Sequence, residues 1–352
     1  MRAFRKVYEE VNRVRIIVLV GGLSPERDVS ICSGTLISNA LVEKGHDVLL
    51  LDLYLGINNN VFPPVYRTNM SDDKLFYAVP EHEPDLVAIK NSVNNNNSLI
   101  GEGVLERCKE ADIVFLALHG SVGENGQLQA LFDMNGIRYT GTKYIGSLLA
   151  MDKDLSKKIM RANNILTPDW IYICLNKEYD LDNIKYPCVV KPCSCGSSAG
   201  VNIVENVNQL NDALEFAKKY EEFIVIEDKI EGREFSVGVI NNTALPVIEI
   251  KPSSGFYDFK NKYQDGLTQE ICPADISEEV SILLKEKALA VHNVLRLGFY
   301  SRVDFIVDEY NNAFCLEANT LPGMTPTSLL PQEANAIGIS YNDLCERIVY
   351  ER

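Results

Sequence analysis

Ser301–Val307, S-R-V-D-F-I-V, and Ala313–Asn319, A-F-C-L-E-A-N, decide the fold, with Asp308 to Asn312 turning between them. Both segments alternate with the period of a strand. Successive side chains leave a strand on opposite faces, so Arg302 and Asp304 share a face about 7 Å apart. Glu317 and Asn319 share a face in the same way. Val303, Phe305 and Val307 take the other side of the first strand, and Phe314, Leu316 and Ala318 the other side of the second. Burying both apolar sets in one core aligns Asp304 with Glu317 and Asn319 across a hairpin. Like charges opposed on a sheet are destabilising, so two carboxylates and an amide oxygen point to a hard cation, Mg²⁺ where phosphates are handled. An ordinary solvated hairpin face is the competing reading of these two strands taken alone.

Composition sets the class of protein. A chain of 352 residues has room for two or three domains at about 100 to 200 residues each. The longest apolar stretches, around Ile16–Val20 and Ile113–Leu118, fall well short of the ~18 residues of a membrane span. The opening M-R-A-F-R-K-V-Y-E-E carries acidic residues and no apolar run, so no signal peptide and a cytoplasmic location are expected. Nine cysteines, without C-x-x-C pairs or neighbouring histidines, argue against a disulfide framework and a zinc site. A net charge of -15, from 34 basic and 49 acidic residues, opposes nonspecific binding to nucleic acid or anionic lipid. Any phosphate ligand must therefore be held by local lysines and metal.

Upstream of the hairpin the chain changes character. Val14–Val20 reads as a buried strand, followed by Gly21-Gly22-Leu23-Ser24 and a helical pattern at Val29, Cys32, Leu36, Ala40 and Leu41. Further parallel-type strands at Asp47–Leu53 and Asp112–Leu118 predict an α/β layer. The polar excursion between them, with Asn58-Asn59-Asn60 and Asn94–Asn97, reads as loop without chemistry. A second unit is expected from Thr142, with one helix over Met151–Asn163 and strands at Cys188–Lys191 and Phe223–Glu227. The third has antiparallel strands at Glu234–Ile240 and Ala244–Ile250, covered by a helix over Ser277–Leu297. The units are placed at residues 1–141, 142–230 and 231–352. Between two strands of the second lies K-P-C-S-C-G-S-S-A-G, Lys191–Gly200, whose backbone N–H groups, hydroxyls and lysine suit a phosphate. It lacks the G-K-[ST] ending of a Walker loop, and Gly21-Gly22 lacks the G-x-G-x-x-G spacing of a dinucleotide fold.

In chain order, Lys153, Lys191 with its loop, Glu227–Ile230, Glu234, Arg302 with Asp304, and Glu317 with Asn319 form a series that resembles ATP-grasp enzymes. Within that superfamily the sequence resembles the D-alanine:D-alanine ligases. The resemblance is carried by G-G-L-S-P-E-R-D-V-S-I-C-S-G (Gly21–Gly34), A-L-H-G (Ala117–Gly120), G-E-N-G-Q-L-Q (Gly123–Gln129), Y-T-G (Tyr139–Gly141), M-D-K (Met151–Lys153), F-Y-D-F-K-N-K-Y (Phe256–Tyr263) and E-A-N-T-L-P-G-M-T-P-T-S-L (Glu317–Leu329), together with the loop at Lys191–Ser198. It implies a three-domain ATP-grasp fold, α/β and α+β, with an N-terminal parallel α/β domain.

The implied reaction phosphorylates the carboxylate of one D-alanine with ATP, lets the amine of a second attack, and expels phosphate. By the match, Asp304, Glu317 and Asn319 hold two Mg²⁺ ions, with Mn²⁺ as substitute. Lys153, Lys191 and Lys262 grip the phosphates, the backbone of Glu227–Ile230 reads adenine, and Glu234 meets the ribose. Glu26 pairs with the first substrate's ammonium and links through Ser197 to Tyr263 in a lid over Gly255–Gln269. His119 lies near the first substrate. Arg302 and a backbone N–H near Gly323 stabilise the oxyanion, while Ser328 binds the second substrate's carboxylate with Leu329 as apolar wall. Cys195 stands where relatives often carry Gly or Glu. The dipeptide product, rather than D-Ala-D-Ser or a D-Ala-D-lactate depsipeptide, follows from Tyr263. The family setting implies peptidoglycan precursor synthesis and a homodimer. A nucleotide-binding module without turnover is disfavoured by the intact set of Arg302, Asp304, Glu317 and Asn319. A dinucleotide-dependent oxidoreductase is disfavoured by the missing glycine spacing.

Overall fold

The computed structural model describes residues 13–69, 74–80, 82–93, 97–196, 200–252 and 268–351. Its first sheet is built from β1 (Arg15–Val20), β2 (Asp47–Asp52) and β3 (Ile113–Leu116), all parallel in the order β2-β1-β3. Ile16, Ile17, Val18 and Leu19 are completely buried, the signature of a strand covered on both faces. Full burial of each such side chain contributes about 1.5–3 kcal/mol. The turn after β1 is left-handed, Gly21 and Gly22 having φ of +73° and +79°, which glycine adopts without a Cβ penalty. The helix Arg27–Glu43 follows. Arg27 forms a buried ion pair with Asp52 at the end of β2 and also donates to Gly22 O at 2.8 Å. Asp52, which occupies the place a ribose ligand would take in a dinucleotide fold, is thereby committed to structure.

A four-stranded antiparallel sheet contains β4 (Trp170–Cys174), β5 (Cys188–Pro192), β6 (Asn202–Val204) and β7 (Phe223–Asp228) in the order β4-β7-β5-β6. The third sheet holds β8 (Arg233–Ile240), β9 (Thr243–Ala244), β10 (Ile248–Pro252), β11 (Thr268–Ile271), β12 (Tyr300–Val307) and β13 (Ala313–Asn319). Its order is β11-β10-β8-β12-β13, with β9 paired to β8. The helix Glu278–Val294 packs against it through Leu284, Ala288 and Val291.

Several expectations need correction. The helix expected over Met151–Asn163 is two, Tyr144–Met151 and Lys153–Ala162, because Asp152 ends one and caps the other by accepting from Leu155 N–H at 2.9 Å. An aspartate at this position competes with helix continuation. The strand expected over Ala244–Ile250 is interrupted at residues 245–247, where Pro246 has no N–H to offer a ladder. In β13, Ala313, Cys315 and Ala318 are buried while Phe314 and Leu316 are only partly so, which reverses the face expected for Phe314 and Leu316. The register jumps between Asp304↔Glu317 and Phe305↔Cys315, so Leu316 is an extra residue and the parity changes there. The polar excursion contains two short helices, Leu86–Ser92 and Val104–Glu110. Asn60 pins it to β2 by donating to Leu50 O and accepting from Asp52 N–H, both at 2.8 Å.

Packing links distant parts of the chain. The helices at 144–162 contribute Ala150 and Met160 to the core of the third sheet. Two last helices, Leu329–Ala336 and Tyr341–Tyr350, send Leu330, Ala334, Leu344, Ile348 and Val349 into the core of the first sheet.

Candidate active site

A cleft of about 820 Å³ opens between the second and third sheets. Its lining includes Lys153, Lys191, Asp304 and Glu317, together with Glu227, Asp228, Ile230 and Glu234. Apolar walls come from Val189, Val201, Ile203, Ile306 and Leu316. Seven residues that the sequence analysis assigned to nucleotide and metal (Lys153, Lys191, Glu227, Ile230, Glu234, Asp304, Glu317) therefore line one space.

The ladder of β12 and β13 places Asp304 directly across from Glu317 and Arg302 across from Asn319. Asp304 is surrounded by donors. Arg302 grips it with Nε at 2.9 Å and Nη2 at 2.8 Å, Ser236 Oγ donates at 2.7 Å, and Asn319 Nδ2 donates at 2.9 Å. This is a largely buried bidentate pair, not the surface contact of an ordinary hairpin. Glu317 is more open and has Lys153 Nζ at 3.9 Å. Two carboxylates and an amide whose oxygen can turn toward them make an all-oxygen donor set suited to Mg²⁺. Among the described residues no group of three His, Cys, Asp or Glu side chains converges on a metal position.

The lysines are held from behind. Lys153 donates to Cys195 O at 2.6 Å, tying the helix Lys153–Ala162 to the glycine loop. Lys191 Nζ lies 2.8 Å from Glu227 Oε2, and on the other oxygen Lys157 Nζ lies 3.2 Å away. Burial works against ionisation of Glu227, yet the two ammonium groups overcome it and hold its carboxyl down at about 2. Lys191 is pulled down by burial but raised on balance by Glu227. Asp228 pairs with Lys185 at the surface at 2.9 Å, leaving the cleft to its backbone.

A second cluster forms where the first sheet meets the segment after β13. His119 is buried, with Nε2 lacking a hydrogen-bond partner among the described residues. Burial pushes its pKa down, while Glu26 and the backbone at Leu321 act in the opposite direction. The Glu26 carboxylate is cradled by glycines: a Cβ on Gly120 would lie 3.0 Å from its Oε2, and one on Gly196 would lie 3.2 Å away. Glu124 accepts from Gly120 N–H. Burial first, and the neighbouring charge of Glu26 second, push its carboxyl up to about 8. In the segment after β13, Ser328 Oγ meets Thr325 Oγ1 at 2.8 Å, and a Cβ on Gly323 would lie 2.9 Å from it. Leu329, expected as an apolar wall, is 3% exposed and packs with Ile248 and Ile250 beneath the surface. Ser197, Lys262 and Tyr263, with most of the Gly255–Gln269 lid, lie outside the described residues.

Three residues had escaped the sequence reading. Lys157 sits one helical turn beyond Lys153 and so faces the same way. Ser236 shares the cleft-side face of β8 with Glu234. Glu124 stands between Gly123 and the N-G of its motif, where the sequence alone gives a lone carboxylate no signal of burial.

Comparison with known proteins joins these pieces. Residues 15–142 match the family model described as "D-ala D-ala ligase N-terminus", and residues 167–350 the one described as "D-ala D-ala ligase C-terminus". The chain is 42% identical over 345 residues to a D-alanine--D-alanine ligase of Pediococcus pentosaceus, covering 96% of this chain and 97% of the relative. It is also 42% identical to one of Lacticaseibacillus casei, over 96% of this chain and 95% of that one. A crystal structure of the Bacillus anthracis enzyme complexed with ATP superposes with a TM-score of 0.75 at 29% identity, covering 96% and 97% of the two chains.

Proposed function

The chain belongs to the D-alanine–D-alanine ligase family, with its ATP-grasp architecture, and from that premise we propose how its own residues join two D-alanines with ATP to give D-alanyl-D-alanine, ADP and phosphate. The single observation that carries the reading is the meeting of Lys153, Lys191, Asp304 and Glu317 in one nucleotide-sized cleft.

Adenine lies against the apolar walls and the backbone of residues 227–230, with Glu234 toward the ribose. Lys153 and Lys191 hold the terminal phosphates, each fixed from behind by a contact that limits its rotation. Asp304, Glu317 and Asn319 would hold the divalent ions, two Mg²⁺ or Mn²⁺ in their place. When bound, such ions would neutralise charge that gathers on the transferred phosphoryl group. Glu26 receives the ammonium of the first D-alanine, beside His119, and leaves its carboxylate facing the phosphate. Ser328 binds the second substrate's carboxylate. Attack by the second amine on the D-alanyl phosphate builds an oxyanion, which Arg302 and a backbone N–H near Gly323 stabilise; losing one such donor typically costs about 3–4 kcal/mol of barrier. Ser197 of the glycine loop links Glu26 to Tyr263, a contact that orders the lid over residues 255–269 and keeps water from the acyl phosphate, and Lys262 of that lid reaches the transferred phosphate. Because the attacking amine must first lose a proton, the rate rises with pH toward that amine's pKa.

Peptidoglycan precursor synthesis in the cytoplasm, and a homodimeric assembly, complete the proposal. No helix among the described residues is long and apolar enough to cross a membrane.

Phosphate release from ATP with D-alanine, L-alanine, D-serine and D-lactate tests the reading. Release should require D-alanine and Mg²⁺, with D-alanine preferred as acceptor at neutral pH. D-lactate outcompeting D-alanine would overturn the acceptor assignment, and no release with any of them would overturn the activity. Thermal stabilisation by Mg-ATP and none by NADH is the matching binding result.

A further inference from the structure

The helix Leu329–Ala336 is tied to the third sheet by a bond that a strand would ordinarily make. Gly238 lies in β8 directly across from Arg302 in β12. Its carbonyl accepts from Leu245 N–H at 2.8 Å on the other edge. In an antiparallel strand the N–H and C=O of one residue point to the same side, so Gly238 N–H faces the gap between Ala244, where β9 ends, and Ile248, where β10 begins. Glu333 fills that gap: its Oε1 accepts from Gly238 N–H at 3.0 Å. The side chain is completely buried. A Cβ on Gly238 would come within 2.5 Å of both Glu333 Oε2 and Leu330 Cδ1, so the approach requires glycine. Among the described residues, the charged groups facing Glu333 are Arg302 and Asp304, and the neutral Cys272 thiol lies in its field as well.

We propose that Glu333 is a positioning residue for the second substrate: its carboxyl replaces the missing strand partner of Gly238 and so holds Ser328, at the start of the same helix, in register with Arg302. The proposal rests on the roles given above to Ser328 and Arg302. A hydrogen bond at this point joins the element that binds the acceptor's carboxylate to the strand position opposite the oxyanion-stabilising guanidinium. Burial pushes the Glu333 carboxyl up to about 8, so an uncharged amide of the same shape keeps its function near neutral pH.

Fitting D-alanine saturation of phosphate release to two sites, and measuring the KM for ATP alongside, tests this. Glu333→Gln retains an acceptor oxygen and should keep all three constants within about twofold. Glu333→Leu strands the Gly238 N–H and should raise the KM of the second D-alanine by about tenfold or more, corresponding to the loss of one buried hydrogen bond, with the KM values for ATP and the first D-alanine within about twofold. Equal changes in all three constants, or none, would overturn the positioning role. Should Glu333→Leu fail to melt cooperatively, Glu333→Asp withdraws the acceptor by one methylene and should show the same split, about threefold or more; an unchanged second-site KM there also overturns it. An inactive wild type would remove the ligase reading itself and this inference with it, whereas an active wild type with unsplit variants removes only the inference.

Discussion

Replacing Lys157 with methionine isolates the charge behind the cleft from its packing. Lys157 is completely buried and Glu227 is 2% exposed, with 3.2 Å between Nζ and Oε1. The ammonium also donates to Thr167 Oγ1 at 2.7 Å and to Pro168 O at 3.2 Å. Methionine keeps most of the volume but leaves Glu227 with Lys191 as its remaining ion-pair partner and strands the other two acceptors. Removing one member of a buried pair typically costs about 3–5 kcal/mol, and methionine's good fit places the expected loss near the lower end, about 3 kcal/mol. Urea unfolding of the ligand-free protein measures it. Glu227, no longer shared, should also draw Lys191 more firmly and raise the KM for ATP. The double variant Lys157→Met with Glu227→Gln removes both charges of one contact and should be at least about 1 kcal/mol more stable than the sum of the single losses, since directly paired residues couple by roughly 0.5–3 kcal/mol. A single-variant loss below about 1 kcal/mol, or strict additivity, would refute the account of this triad.

Asp304→Asn keeps one acceptor oxygen for Arg302 Nε and Ser236, but it removes the charge and sets an amide donor where Arg302 Nη2 and Asn319 donate. Phosphate release should fall by about 100-fold or more and the Mg²⁺ requirement should rise, and a loss under tenfold would refute the metal assignment. Glu124 has a folded-state pKa near 8, raised from 4.5, so the folded form binds its proton more tightly and stability declines as pH rises from about 4.5 to 8. Melting curves of Glu124→Gln should lose that decline and cross above the wild type at alkaline pH; parallel curves refute it. Arg27→Leu breaks the buried pair with Asp52 and should cost about 3–5 kcal/mol in urea unfolding, with the KM for ATP unaltered because neither residue lines the cleft.

Local patterns with one dominant physical signal were legible in the sequence. The parallel strands of the first sheet announced themselves as unbroken apolar runs, and the pairing of Asp304 with Glu317 followed from turn symmetry. The face taken by Phe314 and Leu316 did not follow, because a bulge that adds one residue leaves no mark in an alternating string until the partner strand is known. Pro246 did leave a mark, and should have split its strand from the start. Asp152 was equally readable as a cap but sat within a continuous apolar period. Lys157 and Glu333 look like ordinary surface residues of helices in the sequence, and only tertiary packing reveals that each is completely enclosed. The glycine-loop serine and the lid residues remain assignments from resemblance.

Leu344, Ile348 and Val349 share a core with Ile37 and Leu41, which has a consequence for biosynthesis. A ribosome releases the first strand and helix long before their last neighbours exist, so the amino-terminal unit emerges with an apolar side still bare. We expect a chain ended at residue 328 to expose that side to proteases and to recover protection when a peptide of residues 329–352 is added. Resistance equal to the full chain without the peptide would show that the unit matures on its own.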